Sequence, residues 1–194
     1  MHDLTCPWAT KTDIERQYHD EEWGRPTFDD RRIFEFFVLE SAQAGLSWLT
    51  ILRRRQGYAQ RFANFDPVQV AQMTTADVDA AVQDTGIIRH RGKIEAAINN
   101  AQVFCDMQAK HGRFADYIWQ FVEGRPRINR WRSQENVPAT TPVSDALSRD
   151  LKSKGFRFFG STIAYAHMQA TGMVNDHLVH CPQHAICAEL AAKL

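Results

Sequence analysis

The sequence predicts an all-α fold, on three observations. Helix caps and stop signals recur along the chain, one segment carries a broad apolar helical face, and alternating strand patterns are scarce. The apolar segment, Ile33 to Leu49, follows Asp29 and Asp30, either of which can cap a helix that Gly45 can end. Positions 33, 36, 37, 40 and 44 share one stripe, so Glu40 points where Ile33, Phe36 and Phe37 point. Glu35 falls off that stripe and is expected to reach water. Ser47 can cap a helix through Trp48, Leu49, Ile51 and Leu52. Asp66-Pro67 places a cap before proline at the first helical position, opening a helix over Val68 to Met73. Thr75 precedes a helix through Val78, Ala81 and Val82 that stops near Gly86, and another runs from about Arg91 through Phe104. Ser144 and Ser161 are expected to cap two more, ending at Gly155 and Gly172. Arg125 to Pro142 is the one long irregular stretch, and a loop of that length is either functional or mobile.

Composition narrows the class. At 194 residues the chain suits one domain with ample length to bury a core, and 44% hydrophobic residues with five Trp and twelve Phe exclude a disordered chain. No apolar run approaches the ~20 residues of a membrane span. The opening Met1 to Pro7 lacks the basic and apolar regions of a signal peptide, so a cytoplasmic protein without a membrane partner is expected. Lys+Arg and Asp+Glu are both 23, so net charge is silent on a polyanion partner. Basic residues nevertheless cluster at Arg53 to Arg55, Arg89 to Lys93, Arg125 to Arg132 and Lys152 to Arg157, and a neutral protein can present a basic face to DNA. Each cluster taken alone also fits a solvated helix end.

Four groups of residues carry possible chemistry. Glu40, a carboxylate on an apolar face, must be paired, neutralised or used, because an uncompensated buried charge is costly. It either bonds a neighbouring helix end or serves a site. Cys6 and His19 near the start, with His177 and Cys181 near the end, could form a closed tetrahedral Cys2His2 site, His177 and Cys181 sharing a face if their segment is helical. Ordinary buried thiols and surface histidines fit the same spacing, because no CxxC is present. Gly86 to Lys93 joins two expected helices. Its Gly86 and Gly92, with Arg89, Arg91 and Lys93 around free helix N–H groups, can hold a phosphate, and a solvated hairpin fits equally. Trp8, Tyr18, Trp23 and Trp48 surround Glu40 in the sequence. They are either core or the walls of a pocket for a flipped-out base, whose polar edge a carboxylate can read.

Six blocks carry a resemblance: Tyr18-His19-Asp20-Glu21-Glu22-Trp23-Gly24, Gln43-Ala44-Gly45-Leu46-Ser47-Trp48, Gly86 to Ile94, Lys154 to Phe158, Gly160 to Ile163, and Met173 to His177. In their order and spacing they resemble bacterial 3-methyladenine DNA glycosylase I, of the helix–hairpin–helix DNA glycosylase superfamily, over almost the whole chain. The resemblance implies a helix–hairpin–helix helical domain whose N- and C-terminal regions form a subdomain stapled by zinc. One structural Zn2+ per chain would be bound by Cys6, His19, His177 and Cys181. A single domain over 1–194 is expected, with a hairpin lobe at about 46–122 and a second lobe from about 1–45 and 123–194.

The resemblance also implies an enzyme, a monofunctional glycosylase that hydrolyses the N-glycosidic bond of 3-methyladenine in alkylated double-stranded DNA and leaves an abasic site. It puts Glu40, Tyr18, Trp48 and Trp8 in the base pocket, Glu40 being the catalytic residue. It likens Gly86, Arg89, Arg91, Gly92 and Lys93 to the DNA anchor, and makes Gln43 to Leu46, with Gly45 and Leu46 touching DNA, the filler of the gap. A monomer is expected. Glu15 departs from the family pattern, standing where tyrosine is frequent, as do Pro7, Ala164 and His167. A non-catalytic zinc-stabilised DNA-binding protein is the alternative; a zinc hydrolase would need an open metal position that four ligands do not leave.

Overall fold

A computed structural model describes residues 4–194; Met1, His2 and Asp3, the start of the segment read for a signal peptide, lie outside them. The helices are α1 (Asp13–Glu21), α2 (Asp30–Gln43), α3 (Trp48–Leu52), α4 (Arg55–Arg61), α5 (Pro67–Ala71), α6 (Thr75–Gln83), α7 (Arg91–His111), α8 (Phe114–Trp119), α9 (Pro142–Ser153), α10 (Ser161–Ala170) and α11 (Pro182–Ala191). Among the described residues, the strand content is one two-residue parallel pairing of Arg127–Ile128 with Val174–Asn175. None of these helices is long and apolar enough to cross a membrane.

Helix α2 is the axis of the core. Every residue from Ile33 to Ala42 is buried, and the helix packs against α3, α7, α8 and α10. Phe37 meets Phe104, Phe114, Phe156 and Phe159 at ring-centroid distances of 4.6–6.4 Å. The tandem aspartates divide the labour at its start. Asp29 caps α2, accepting from the N–H of Arg31 at 2.9 Å. Asp30 instead reaches across to cap α8, accepting from the N–H groups of Phe114 and Ala115 at 2.8 and 2.7 Å. Each such cap contributes about 1 kcal/mol, and here the second also clamps two helices together.

The structure corrects several expectations. Glu35 does not reach water: it is 8% exposed, with Oε1 accepting from Arg55 Nε at 2.7 Å and a second ion pair to Arg32. Arg32 and Arg55 also grip Glu22, so α1, α2 and α4 meet in a four-residue charge network. Opposite charges within hydrogen-bond reach make burial tolerable there. Burial alone would raise the Glu22 carboxyl, but Arg55 and Arg32 hold it below its ordinary value. Ser144 is not the cap of α9. Thr141 is, accepting from Ser144 N–H at 3.2 Å, while Ser144 Oγ accepts from Thr141 N–H at 2.8 Å in a reciprocal capping box. Ser161 is the first residue of α10, after Gly160, and Thr74 rather than Thr75 caps α6.

The long stretch between Arg125 and Pro142 is irregular yet fixed. Arg127 and Asn129 donate their N–H groups to the carbonyls of Met173 and Asn175 at 3.0 and 3.1 Å. Buried Asp176 then takes four side-chain donors: Asn129 and Trp131 on Oδ1 at 2.6 and 2.7 Å, Tyr165 and Gln169 on Oδ2 at 2.6 and 2.8 Å. One carboxylate thereby ties the loop to α10.

The connection between α6 and α7 is buttressed by α4. Tyr58 Oη accepts from Ile88 N–H at 3.2 Å, and Asp84, held by Arg61, accepts from Gly86 N–H at 2.8 Å. Gly57 makes the approach possible, since a β-carbon there would lie 2.2 Å from the Gly86 carbonyl oxygen. Gly57→Ala is therefore expected to destabilise the fold by about 1–3 kcal/mol, the usual range for overpacking, read as a lower urea midpoint at unchanged slope.

Candidate active site and metal cluster

A cavity of about 340 Å³ opens beside α2, with Trp8, Tyr18, Trp23 and Trp48 in its walls and Glu40 among its lining residues. The rings support one another: Tyr18 lies 5.2 Å from Trp48 and 6.3 Å from Trp8, and Trp8 meets Trp23 edge-on at 5.1 Å. Glu40 is 3% exposed, and its Oε2 has no hydrogen-bond partner among the described residues; the same holds for the buried indole N–H of Trp48. Native interiors rarely leave such groups unpaired. Burial pushes the Glu40 carboxyl up to about 8. Burial, and then the neighbouring Glu40, push the Tyr18 hydroxyl well above its ordinary value. The packing reading of Glu40, a bond to a neighbouring helix end, therefore has no partner to support it.

Glu15 lines the same cavity as a second carboxylate, with Oε2 accepting from Thr12 Oγ1 at 2.9 Å. Lys11, Gln43, Ser47, Gln134, Ala166 and Gln169 complete the lining. The sequence alone assigned none of these six to the pocket; for Gln134, Ala166 and Gln169 the reason is that only the tertiary fold brings α10 and the Ser133–Val137 turn to it. Gln169 is held there through Asp176. His167, another departure from the family pattern, lies in the core 4.3 Å from Phe37, where burial lowers it to about 3 and keeps it neutral.

Behind the pocket, Cys6, His19, His177 and Cys181 converge, all buried, with one ligand atom from each within 4.8 Å of the others. The segment before Cys181 is not helical; Cys181 is the cap residue of α11, and a turn rather than a shared helical face brings His177 beside it. His177 Nδ1 lies 3.0 Å from His19 Nε2, 3.8 Å from Cys6 Sγ and 3.9 Å from Cys181 Sγ. A tetrahedral ion with N and S ligands at roughly 2.0–2.3 Å sets its ligand atoms about 3.3–3.8 Å apart, so the spacing fits.

Proton placement makes the same point. His177 Nε2 faces the Trp23 carbonyl at 3.0 Å and must donate to it, and His19 Nδ1 faces Asp20 Oδ1 at 2.7 Å. With the outward nitrogens donating, the inward nitrogens of the two rings are left to present lone pairs to each other, an arrangement that a shared cation resolves. The thiols are unequal. The Cys6 hydrogen bond, with His177 and His19, draws Cys181 down, while that same bond and burial push Cys6 up. A cation would let both ionise. Asp20 and the Trp23 carbonyl were not anticipated as orienting groups, although Asp20 directly follows a ligand in sequence. Cys187 and His184 stay outside the cluster; His184 Nε2 bonds the Asn129 carbonyl at 2.8 Å.

On the hairpin, the basic residues differ. Arg89 is exposed and has no carboxylate partner among the described residues, whereas Arg91 is paired with Asp79 and Glu95. The N–H groups of Arg91 and Gly92, in the first turn of α7, meet no acceptor among the described residues, and His90 Nδ1 caps Lys93 N–H at 3.2 Å. Lys93 turns inward, its Nζ 2.8 and 2.6 Å from the carbonyls of Ala42 and Ala44. Gln43 to Leu46 forms a type II turn closed by Leu46 N–H to Gln43 O at 2.6 Å, with Gly45 at φ +80 as that turn requires. Gly45 and Leu46 are exposed at its tip.

The chain matches the methyladenine glycosylase family over residues 8–184. A DNA-3-methyladenine glycosylase of Haemophilus influenzae is 47% identical over 177 residues, covering 91% of this chain and 96% of the relative. A crystal structure of a 3-methyladenine DNA glycosylase I superposes with a TM-score of 0.90 at 47% identity, covering 92% of this chain and 98% of the other. A Staphylococcus aureus 3-methyladenine DNA glycosylase I, solved to explain its recognition of 3-methyladenine, superposes with a TM-score of 0.90 at 36% identity, covering 93% and 96%. This chain therefore belongs to the methyladenine glycosylase family.

Proposed function

We propose that the chain excises N3-alkylated adenine from DNA by reading the flipped-out cationic base with Glu40 inside the aromatic cavity. It is a DNA-3-methyladenine glycosylase, an N-glycosylase of DNA repair. The observation that carries the residue-level reading is the unpaired, buried Glu40 carboxylate in a cavity walled by tryptophan and tyrosine. Alkylation at N3 leaves adenine with a positive charge, so the base departs without protonation and needs no strong general acid. The arriving cation favours release to solvent of the proton that burial keeps on Glu40, and the resulting carboxylate accepts hydrogen bonds from the base and favours its cationic form. Tyr18 and Trp48, with Trp8 behind them, add cation–π attraction of roughly 0.5–2 kcal/mol per contact. As the glycosidic bond breaks, its electron pair stays on the ring nitrogen and neutralises the base. Water adds to the sugar carbon and gives up a proton, leaving the abasic site.

In this reading double-stranded DNA is gripped through Arg89 and the free N–H groups at the start of α7, while Gly45 and Leu46 enter the gap left by the base. The chain is read as a monomer, because one copy supplies pocket, hairpin and cluster. It is read as two lobes, about 46–122 and the joined remainder. Cys6, His19, His177 and Cys181 hold one structural Zn2+, which binds the chain ends together and takes no part in bond cleavage.

Three outcomes are expected. Purified protein releases 3-methyladenine from alkylated duplex DNA, and Glu40→Ala reduces that rate at least a hundredfold; full activity in Glu40→Ala would remove Glu40 from the reaction. Second, the raised Glu40 carboxyl makes folding depend on pH. The folded state holds a proton that the unfolded state gives up near 4.5, so wild-type stability falls as pH rises from about 4.5 to about 8. Glu40→Gln should match wild type near pH 4 and exceed it at pH 8 by roughly 3–5 kcal/mol in urea titrations. Third, metal analysis should find about one zinc per chain, and Cys181→Ala should lose it together with at least about 3 kcal/mol of stability. A chelator that strips the ion without moving the unfolding midpoint would sink the structural role.

A further inference from the structure

Lys93 enters the sequence as one of five hairpin residues poised for phosphate, but its ammonium is committed elsewhere. It bridges the carbonyls of Ala42 and Ala44 at 2.8 and 2.6 Å. Both lie at the C-terminal end of α2, where carbonyls lack intrahelical partners and the helix dipole favours a cation. The stem of Lys93 borders a small recess lined by Val38, Tyr58, Phe62 and Ile94. Burial also lowers its ammonium below the ordinary value. The connection spans three parts of the molecule: Ala42 lies two residues after Glu40, Ala44 is the first corner of the Gln43–Leu46 turn, and Lys93 is in the first turn of α7. The turn has little other support at its tip, since a β-carbon on Gly45 would find nothing within 4 Å.

We propose that Lys93 is a positioning residue that locks the Gln43–Leu46 turn and the end of α2 to the hairpin, and that it is not a phosphate ligand. The proposal rests on the glycosylase reading. It gives the hairpin a second role beyond gripping the backbone. A duplex seated on Arg89 and the α7 N–H groups is registered, through one ammonium, against the turn that enters the gap and the helix that reads the base. Phosphate capture does not need Lys93, because Arg89 and the N–H groups of Arg91 and Gly92 remain available.

The test compares wild type with Lys93→Met and Lys93→Gln, using a duplex carrying 3-methyladenine and an undamaged duplex. Single-turnover base release by Lys93→Met is expected to fall tenfold or more, while affinity for undamaged duplex stays within about twofold. The slope of log affinity against log salt should not change. Lys93→Gln, an uncharged donor that can still reach one carbonyl, should recover part of the lost rate at the same slope, and it carries the test if Lys93→Met does not fold. A slope shallower by about 0.9 in either variant, with equal weakening on both duplexes, would make Lys93 a phosphate ligand and overturn the proposal. Undiminished base release by both variants would overturn it too. Absence of release by wild type would instead strike the glycosylase reading.

Discussion

The rest of the molecule is arranged around an unfavourable placement: a carboxylate oxygen without a partner among the described residues, on a helix buried along most of its length. Desolvation opposes an ionised Glu40, and a helix free to rotate or slide would carry it to water. Helix α2 has neither freedom. At its start Asp29 caps it and Asp30 clamps it to α8; at its end Lys93 holds Ala42 and Ala44. Between these points Phe34, Phe36 and Phe37 are fully buried, each contributing roughly 1.5–3 kcal/mol. The core overrides the preference of one side chain, so Glu40 is held facing the cavity although burial favours its protonated form.

The Cys/His cluster and the aromatic cavity are two faces of one wall. Tyr18 and His19 are adjacent in α1, the first lining the cavity and the second entering the cluster. Trp8 lies 5.4 Å from His19 and 6.3 Å from Tyr18, so a ring of the cavity wall rests on a histidine of the cluster. The Trp23 backbone fixes the His177 ring while its side chain lines the cavity. Joining the chain ends thus does more than stabilise the fold: it sets where the aromatic walls stand.

Much of this was legible in the residues. The Asp29 cap, the Glu40 stripe, the Asp66-Pro67 start and the α6–α7 connection all follow from local chemistry, and the helices observed match them within a residue or two. What escaped was set by partners distant in sequence. Glu35 looked solvent-bound because nothing local revealed Arg55, twenty residues away, as its counterion. Ser144 and Ser161 carry cap-forming side chains, yet Thr141 and Gly160 hold the cap positions. Lys93 reads as a surface cation in any local view, and its carbonyl partners lie about fifty residues earlier. Asp176 sits in a block that the resemblance singled out, but its four donors come from two other segments. The six blocks pointed to the family; the directions of individual side chains had to come from the fold.

The closure of the chain ends also has a consequence for synthesis. Trp8 and Tyr18 emerge among the first residues of the chain, but the histidine and cysteine that complete their supporting cluster, His177 and Cys181, are among the last. The hairpin and the Asp30 clamp can form while translation is still under way. The aromatic walls must wait until the segment carrying His177 and Cys181 has been made and has packed against Cys6 and His19. A nascent or stalled chain that lacks the segment of His177 and Cys181 can therefore carry a formed hairpin while the aromatic walls beside Glu40 still lack their backing.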